Sequence, residues 1–547
     1  MSNTLNISMA QANPTVGDVP GNVDKVLALT AQAVREQGAE LVIFPELMLT
    51  GYPPEDLLHH GGLRGQLHAG FERLLAELPE GVAVLLGLPE YVFDSGRIFN
   101  TAQLLTRGHV LGVYRKQLLP NYGVFDEKRY FVEGDVPCVV EYQGFQLGLT
   151  VCEDLWHPGV ARQTADAGAD VLLNVSASPF QMGRQMHREA EVLKLRVEEC
   201  GLPIVYVNLV GGQDELVFDG GSLAVSRHGR AAVRSAAFDE VLTPVRLRRE
   251  NGVVDVEPGE VHVEGSQEES VYKALVMGVR DYVNKNGFPG ALLGLSGGID
   301  SGLTLAIAVD ALGADKVTAV MMPSQYTSDI STTEAARQAE MLGVTYHSIA
   351  IEKPVVAFED ILASVFEGLP PDTTEENIQA RSRGVILMAL SNKSGDIVLT
   401  TGNKSEMAVG YATLYGDMAG GFAALKDVPK TLVYRLAKYR NGLSPAIPEV
   451  VITRPPSAEL RPDQKDSDSL PDYDTLDAIL EAYVEDDLSV AEVVARGFDR
   501  QTVERVVGLV QRNEYKRRQA PPGVKISRRA FGRERRYPIT SGYRHQK

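Results

Sequence analysis

"GLSGGIDSGL", residues 294–303, lies between the apolar run "ALL" and a helical pattern that ends at Gly313. Strand before, glycine loop within and helix after make one strand–loop–helix unit. Glycines at 297 and 298 let backbone amides approach an anion closely, and Ser296 and Ser301 add hydroxyl donors. The N-terminal end of the following helix faces the same point. No lysine follows the glycines, so this is not the G-x-x-x-x-G-K-[ST] loop, and it does not match G-x-G-x-x-G either. A lysine-free cradle suits pyrophosphate, the group released when ATP adenylates a carboxylate, and Asp300 is placed to take Mg²⁺. A bare turn would need neither the acid nor the flanking elements.

Outward from this loop, "KVTAVMMP" (316–323) and "VTYHSIAI" (344–351) read as strands. "EESVYKALVMGVRDYVNKNG" (268–287) and "TTEAARQAEMLG" (332–343) read as helices. The alternation predicts a doubly wound, Rossmann-like parallel sheet whose ligands sit at the carboxyl ends of strands. "RPPSAELRPDQKDSDSLPDYD", from Arg454, is expected to be a mobile loop. In the first half, the helix "NVDKVLALTAQAVREQG" (22–38) lies between the strands "LNISM" and "ELVIFPE", with Asn22 to cap its start and Gly38 its end. "AVLLGLPEYV", "VLGVYRK", "FQLGLTV", "DVLLNV", "PIVYVNL" and "SLAVS" add further strands, which imply an α/β domain with extensive sheets. Residues 245–270 are charged and without a long period. The expected division is therefore 1–248, a linker at 249–265, and 266–547.

With 547 residues, two or more domains are required. Hydrophobic residues at 44% and charged residues at 23% are globular values. The 54 basic and 72 acidic side chains leave a net charge of −18, which argues against nucleic acid as a partner. Cys138, Cys152 and Cys200 form neither a disulfide framework nor a metal-ligand spacing, as in a reducing compartment. The N-terminus has no signal-peptide pattern, and no apolar run reaches bilayer length. A cytoplasmic chain without a membrane partner, assembling as a homo-oligomer, is expected.

"LTVCEDLW" (149–156) poses a second question. A lone cysteine after a strand is more often a small buried hydrophobe than a nucleophile. Two other strand ends change the balance: Glu46 closes "ELVIFPE" and Lys116 closes "VLGVYRK". Strand ends gather at one rim of a sheet, so the three groups can meet. Glu46 would then take the thiol proton, Cys152 attack an amide carbon, and Lys116 stabilise thiolate and oxyanion. Ammonia leaves, and water cleaves the thioester.

The glycine loop resembles the S-G-G-x-D-S motif of the ATP pyrophosphatase (PP-loop) ligases. The stretch from "ENIQARSRG" (376–384) to "KDVPKT" (426–431) resembles the substrate-binding part of NAD synthetases, a likeness that runs across most of 270–520. It implies that ATP contacts Gly294, Leu295, Ser296, Gly297, Gly298, Ile299, Asp300, Ser301, Thr401 and Lys430. It also implies that Glu406 joins Asp300 on magnesium, and that deamido-NAD meets Asn377, Arg381, Glu406, Tyr411, Ala412, Thr413 and Leu414. In the basic C-terminal segment, otherwise a solvated tail or a nucleic-acid arm, the resemblance assigns Lys516 to the substrate's phosphates.

The order Glu-Lys-Cys is similar to that of the nitrilase superfamily over residues 4–245, which implies a four-layer αββα sandwich. In the glutamine-using relatives, the matching positions Tyr122, Ser178 and Arg184 hold L-glutamine, and an Arg suits its α-carboxylate. Both halves together resemble the glutamine-using, two-domain NAD synthetases, ligases that take ammonia from glutamine to amidate deamido-NAD with ATP. Another glutamine-fed adenylating ligase, acting on a different nucleotide or base, is the first alternative. A nucleotide-sensing module without catalysis is the second.

Overall fold

The structure, a computed structural model, describes all residues except 1, 2, 93, 463, 465, 469 and 544–547. It divides into two compact units, Met1–Gln213 with Val217–Gly265, and Asp214–Leu216 with Ser266–Lys547.

Along residues 4–256 the strands are β1 (Thr4–Gln11), β2 (Leu41–Ile43), β3 (Ala83–Val92), β4 (Arg97–Thr106), β5 (His109–Arg115), β6 (Cys138–Tyr142), β7 (Phe145–Val151), β8 (Val171–Ser176), β9 (Ile204–Asn208), β10 (Val210–Gln213), β11 (Leu216–Asp219), β12 (Leu223–Val225), β13 (Ala231–Arg234), β14 (Val241–Glu250) and β15 (Val253–Val256). One sheet has the order β15-β14-β1-β2-β3-β4-β5, the other β13-β12-β9-β8-β7-β6, and β10 pairs with β11. At the centre of each sheet three strands are parallel, β1-β2-β3 in one and β7-β8-β9 in the other.

Side-chain alternation builds the layers. Leu41 and Ile43 join Leu147, Leu149, Leu173 and Val207 in a core shared by the two sheets. Val42 turns the other way, onto α1 (Val19–Gln37) and α2 (Gly61–Glu77), with Val23, Val26 and Leu67. On the far face of the second sheet, Leu172 and Ile204 pack with Ala161 of α3 (Val160–Asp166) and Val197. Val197 belongs to α5 (Lys194–Cys200), which follows α4 (Arg184–His187) through a π-helical turn. The result is an αββα sandwich.

Two local readings change. The start of α1 is capped by Asp18, whose side chain accepts from Gly21 N, because Pro20 begins the helix earlier. Asn22 is instead buried, its amide bonded to Thr15 and Leu49. Gly38 does terminate α1, in the left-handed conformation. Within residues 245–256, alternate side chains of β14 are buried and β15 pairs beside it as the edge strand. The charges had hidden a two-residue period, and part of the expected linker is sheet.

The second unit carries a parallel sheet of order β18-β17-β16-β19-β20, formed by β16 (Ala291–Gly294), β17 (Val317–Met321), β18 (Thr345–Ser348), β19 (Ile397–Thr400) and β20 (Phe422–Ala423). The chain moves outward from β16 to β18, then crosses to the other side for β19 and β20, so the switch point lies between β16 and β19. The helices are α6 (Gln267–Lys285), α7 (Ile299–Leu312), α8 (Asp329–Leu342), α9 (Glu352–Leu362), α10 (Thr373–Ser394), α11 (Lys404–Val409), α12 (Lys430–Leu443), α13 (Glu449–Thr453), α14 (Tyr473–Leu480), α15 (Val490–Ala495), α16 (Arg500–Arg512) and α17 (Glu514–Arg517). Among its described residues, the C-terminal basic segment is folded rather than a solvated arm. Arg517 and Arg535 are buried, and both pair with Glu514.

One glycine links fold to site in the first unit. A Cβ on Gly87 of β3 would lie 2.2 Å from Leu47 N and 2.6 Å from Glu46 Cα. Gly87→Ala must therefore push the Glu46 backbone outward, at a cost of about 1–3 kcal/mol. A thermal unfolding midpoint equal to that of the unaltered protein would refute this close approach.

Candidate functional site

The first site sits where β2, β5 and β7 end. Glu46 is fully buried three residues past β2. Its Oε1 accepts from Asn100 Nδ2 at 2.7 Å and from Lys116 Nζ at 2.7 Å, and its Oε2 accepts from Ala177 N at 3.1 Å. Lys116 follows β5 directly and has a second carboxylate, Glu127, at 2.8 and 2.9 Å. Tyr52 donates to that same glutamate. Burial by itself would lower the Lys116 ammonium, but Glu127 and Glu46 outweigh it and hold the group well above its ordinary value. Burial pushes Glu127 up, against the pull of Lys116.

Cys152 is buried at the end of β7 with φ +40°, in the left-handed region that disfavours a side chain. The strain turns the chain into the 3₁₀ turn Cys152–Leu155. Asp154 holds that turn: its carboxylate accepts from Val151 N, Leu118 N and Tyr114 Oη at 2.9 Å each. Nucleophile and Lys116 segment are thereby bolted together. Burial and then the Glu46 charge raise the Cys152 thiol well above its usual range, and Lys116 opposes them.

The three residues expected to hold glutamine lie on different segments around Cys152. Tyr122 donates to Glu153 at 2.8 Å, and His157 also reaches that carboxylate at 3.1 Å. Arg184 opens α4, stacks over Trp156 and donates to Gln181, while its buried Nε has no acceptor. Ser178 is buried and pinned through its backbone to Asn208 at 2.8 Å. The Tyr122 hydroxyl is electrostatically coupled to Glu153, Cys152 and Arg184, so these groups share one neighbourhood.

The second site is a cavity of about 290 Å³ over the switch point of the parallel sheet. Gly294, Leu295, Ser296, Gly298, Ile299, Asp300 and Ser301 line it along the loop, and Thr401, Glu406 and Lys430 line it from neighbouring strand and helix ends. Gly297 has φ +76°, and a Cβ there would strike Ser331 O at 2.3 Å. Only glycine fits. Lys430, buried at the first position of α12, donates to Asp300 Oδ2 and to Glu406 Oε1 (3.1 Å). Asn403 caps α11 by accepting from Glu406 N, and its Nδ2 donates to Asp300 Oδ1 at 2.9 Å. Burial pushes the Glu406 carboxyl up, Lys430 opposes it, and the Asp300 charge adds to it.

The set expected on deamido-NAD clusters around the turn 410–414. Lys516 donates to Gly410 O and Ala412 O at 2.8 Å each, Thr413 Oγ1 to Asn377 Oδ1 at 2.9 Å, and Arg381 Nε to Leu414 O at 3.2 Å. Tyr411 donates to Asp466 at 3.3 Å, as does Tyr473 at 2.8 Å. The segment expected to be a mobile loop is anchored among its described residues. Arg454 donates to Gly297 O and Ser331 Oγ, and Glu459 accepts from Ser328 and Ser331.

Sequence reasoning missed Glu127, Asn100, Asp154, Asn403 and Asp466. Glu127 stands in "VFDEKRYF", with nothing local to distinguish it from Asp126. Asn403 alone carried a signal, as an Asn opening a helix three residues ahead of a Glu.

The carbon-nitrogen hydrolase family model matches residues 6–250, and the NAD synthase model matches residues 271–520. The chain is 48% identical over 546 residues to the glutamine-dependent NAD(+) synthetase of Acinetobacter baylyi, covering 99% of each chain. It is 50% identical over 552 residues to that of Xylella fastidiosa, covering 100% of each. Among solved structures, it is similar to the glutamine-dependent NAD+ synthetase of Acinetobacter baumannii in complex with ADP, at 47% identity, TM-score 0.80 and full coverage of both chains.

Because only the thiolate alkylates, the buried environment of Cys152 has a measurable consequence. Its rate with iodoacetamide should still climb above pH ~8.5, the ordinary thiol value. Lys116→Ala should move the profile to higher pH, since a stabilising cation is lost. Mass spectrometry of the Cys152 peptide follows both. A rate that levels off below pH ~8 would contradict the arrangement.

Proposed function

The chain belongs to the glutamine-dependent NAD(+) synthetase family, and from that premise we propose how its residues divide the work. The reaction is the ATP-dependent amidation of deamido-NAD to NAD through an adenylate, with ammonia from glutamine and release of AMP and pyrophosphate. We assign glutamine hydrolysis to residues 1–248 and the adenylating ligase to residues 266–547. The observation that carries the reading is a buried Glu46–Lys116 ion pair beside Cys152 in a chain that also holds the Asp300–Lys430–Glu406 cluster under a lysine-free glycine loop.

In the amidase site, the glutamine carboxamide meets Cys152. Glu46 takes the thiol proton as sulfur attacks the amide carbon, and Lys116 Nζ stabilises the oxyanion. Glu46 returns that proton to the departing nitrogen, then takes one from the water that cleaves the thioester. Arg184 clamps the α-carboxylate, Ser178 and Tyr122 flank the substrate, and Glu153, buried opposite, suits its α-ammonium.

In the ligase site, the backbone amides of the glycine loop and the Ser296 and Ser301 hydroxyls cradle pyrophosphate, with Lys430 and Thr401 on ATP. Asn377, Arg381, Glu406, Tyr411 to Leu414 and Lys516 receive deamido-NAD. The donor set at Asp300 and Glu406 fits Mg²⁺: two hard carboxylates converge on one cation, and among the described residues no third ligating side chain closes a cage. When bound, magnesium would supply charge neutralisation of the phosphates. Lys430 now holds the two carboxylates together.

A cytoplasmic setting and a homo-oligomer complete the reading. Three free cysteines, and described helices none of which is long and apolar enough to cross a membrane, support the first. Exposed Phe358, Ile361, Val365 and Val385 on and beside α9 and α10 support the second.

Cys152→Ala should abolish NAD synthesis from glutamine and leave synthesis from added ammonia largely intact, increasingly so as pH rises and ammonium loses its proton. Loss of both would defeat the division of labour. Lys116→Ala should slow glutamine hydrolysis on the order of 10²-fold. Asp300→Asn should suppress ammonia-driven synthesis while Cys152 remains competent for acylation. Phosphate-31 NMR of the products identifies the broken bond, and ADP as the main product would overturn the adenylation reading.

A further inference from the structure

Among the described residues, the ligase cavity is lined by three cations, Arg383, Lys430 and Arg454. Lys430 is paired with Asp300 and Glu406, and Arg454 lies 4.0 Å from Glu459. Arg383 is different. It projects from α10 on the face that also presents Ala380, Gly384 and Leu387 to the cavity. Its Nε donates to Met322 O at 3.0 Å, and among the described residues no carboxylate lies within ion-pair distance of its guanidinium. Burial brings it down to about 10, with Glu459 and Asp417 compensating only from a distance.

A half-buried guanidinium without an acid in reach loses hydration, and an anion brought into contact offsets that loss. The position of the anion follows from the sheet. The glycine loop closes β16, whereas Met322 follows β17, the next strand outward. A nucleotide laid across adjacent strand ends, with its pyrophosphate on the glycine loop, brings its nucleoside side toward Met322. The phosphate nearest the nucleoside is the α-phosphate. We infer that Arg383 binds the α-phosphoryl group, the one that stays with adenosine when pyrophosphate leaves ATP, and holds it through formation and aminolysis of the adenylate. This rests on the ATP-site reading above. It adds a residue that no sequence motif singled out.

The test compares AMP with adenosine, which differ by the phosphate alone. Both are titrated calorimetrically into the full chain and into Arg383→Gln, whose amide still donates to Met322 O. Arg383→Lys serves as the charge-conserving partner, and circular dichroism checks each fold. A charge-assisted contact predicts that Arg383→Gln weakens AMP about 10-fold or more and leaves adenosine within about 2-fold. Arg383→Lys should recover part of the AMP affinity. Equal weakening of both ligands would mean that the guanidinium stacks on the base, and would overturn the inference. Unchanged AMP affinity in a folded Arg383→Gln would overturn it as well. Failure of the unaltered chain to bind AMP would instead sink the nucleotide reading, and this inference with it.

Discussion

A lysine ammonium buried between two carboxylates is the interaction around which both candidate sites are built. Lys116 lies between Glu46 and Glu127, and Lys430 between Asp300 and Glu406. Removing the Lys116 ammonium would leave two carboxylates buried without their cation, a loss far larger than any surface ion pair supplies, whereas Asp300 and Glu406 around Lys430 are partly exposed. Each lysine therefore fixes geometry and charge together. In the first unit it ties Glu46 to Glu127 beside Cys152. In the second it keeps the Asp300 and Glu406 carboxylates converged.

The sheets bring those groups together. Parallel strands end at one rim, and β2, β5 and β7 deliver Glu46, Lys116 and Cys152 there from segments far apart in the chain. Asp154 then joins the turn after β7 to the chain after β5. In the ligase unit the switch between β16 and β19 opens the crevice, and Asn403 ties the Asp300 carboxylate to the start of α11. Cys152 and Gly297 both hold the backbone in the left-handed region at their sites, and at Gly297 the neighbouring Ser331 leaves no room for a Cβ.

The two sites differ in how charge is kept. In the first unit, burial and then the Glu46 charge push the Cys152 thiol up, against the pull of Lys116. In the second unit, Lys430 and an Arg383 with no acid within ion-pair distance among the described residues face the cavity. In a protein of net charge −18, these donors share the crevice with the carboxylates of Asp300, Glu406, Asp417, Glu459 and Asp466.

Local sequence determined much of this protein. The βα units around the glycine loop, the helix ended by Gly38, and the residues Glu46, Lys116, Cys152 and Asp300 were legible because each is set by short-range physics: side-chain period, turn chemistry, and reactive groups at strand ends. Long-range packing decided the rest. Glu127 becomes Lys116's second partner only when its loop folds over the strand ends, and no periodicity records that. β14 was hidden because arginines alternate with its buried residues, so composition outweighed period. Pro20 shifted the cap of α1 from Asn22 to Asp18. Lys516 stands in a basic run that looks like a free arm, yet its ammonium stitches the turn at 410–412, because buried salt bridges fold that segment back. Chain-local rules name the chemistry a residue can perform; which residues meet, and which charges go unpaired, is decided where distant segments close over one another and exclude water.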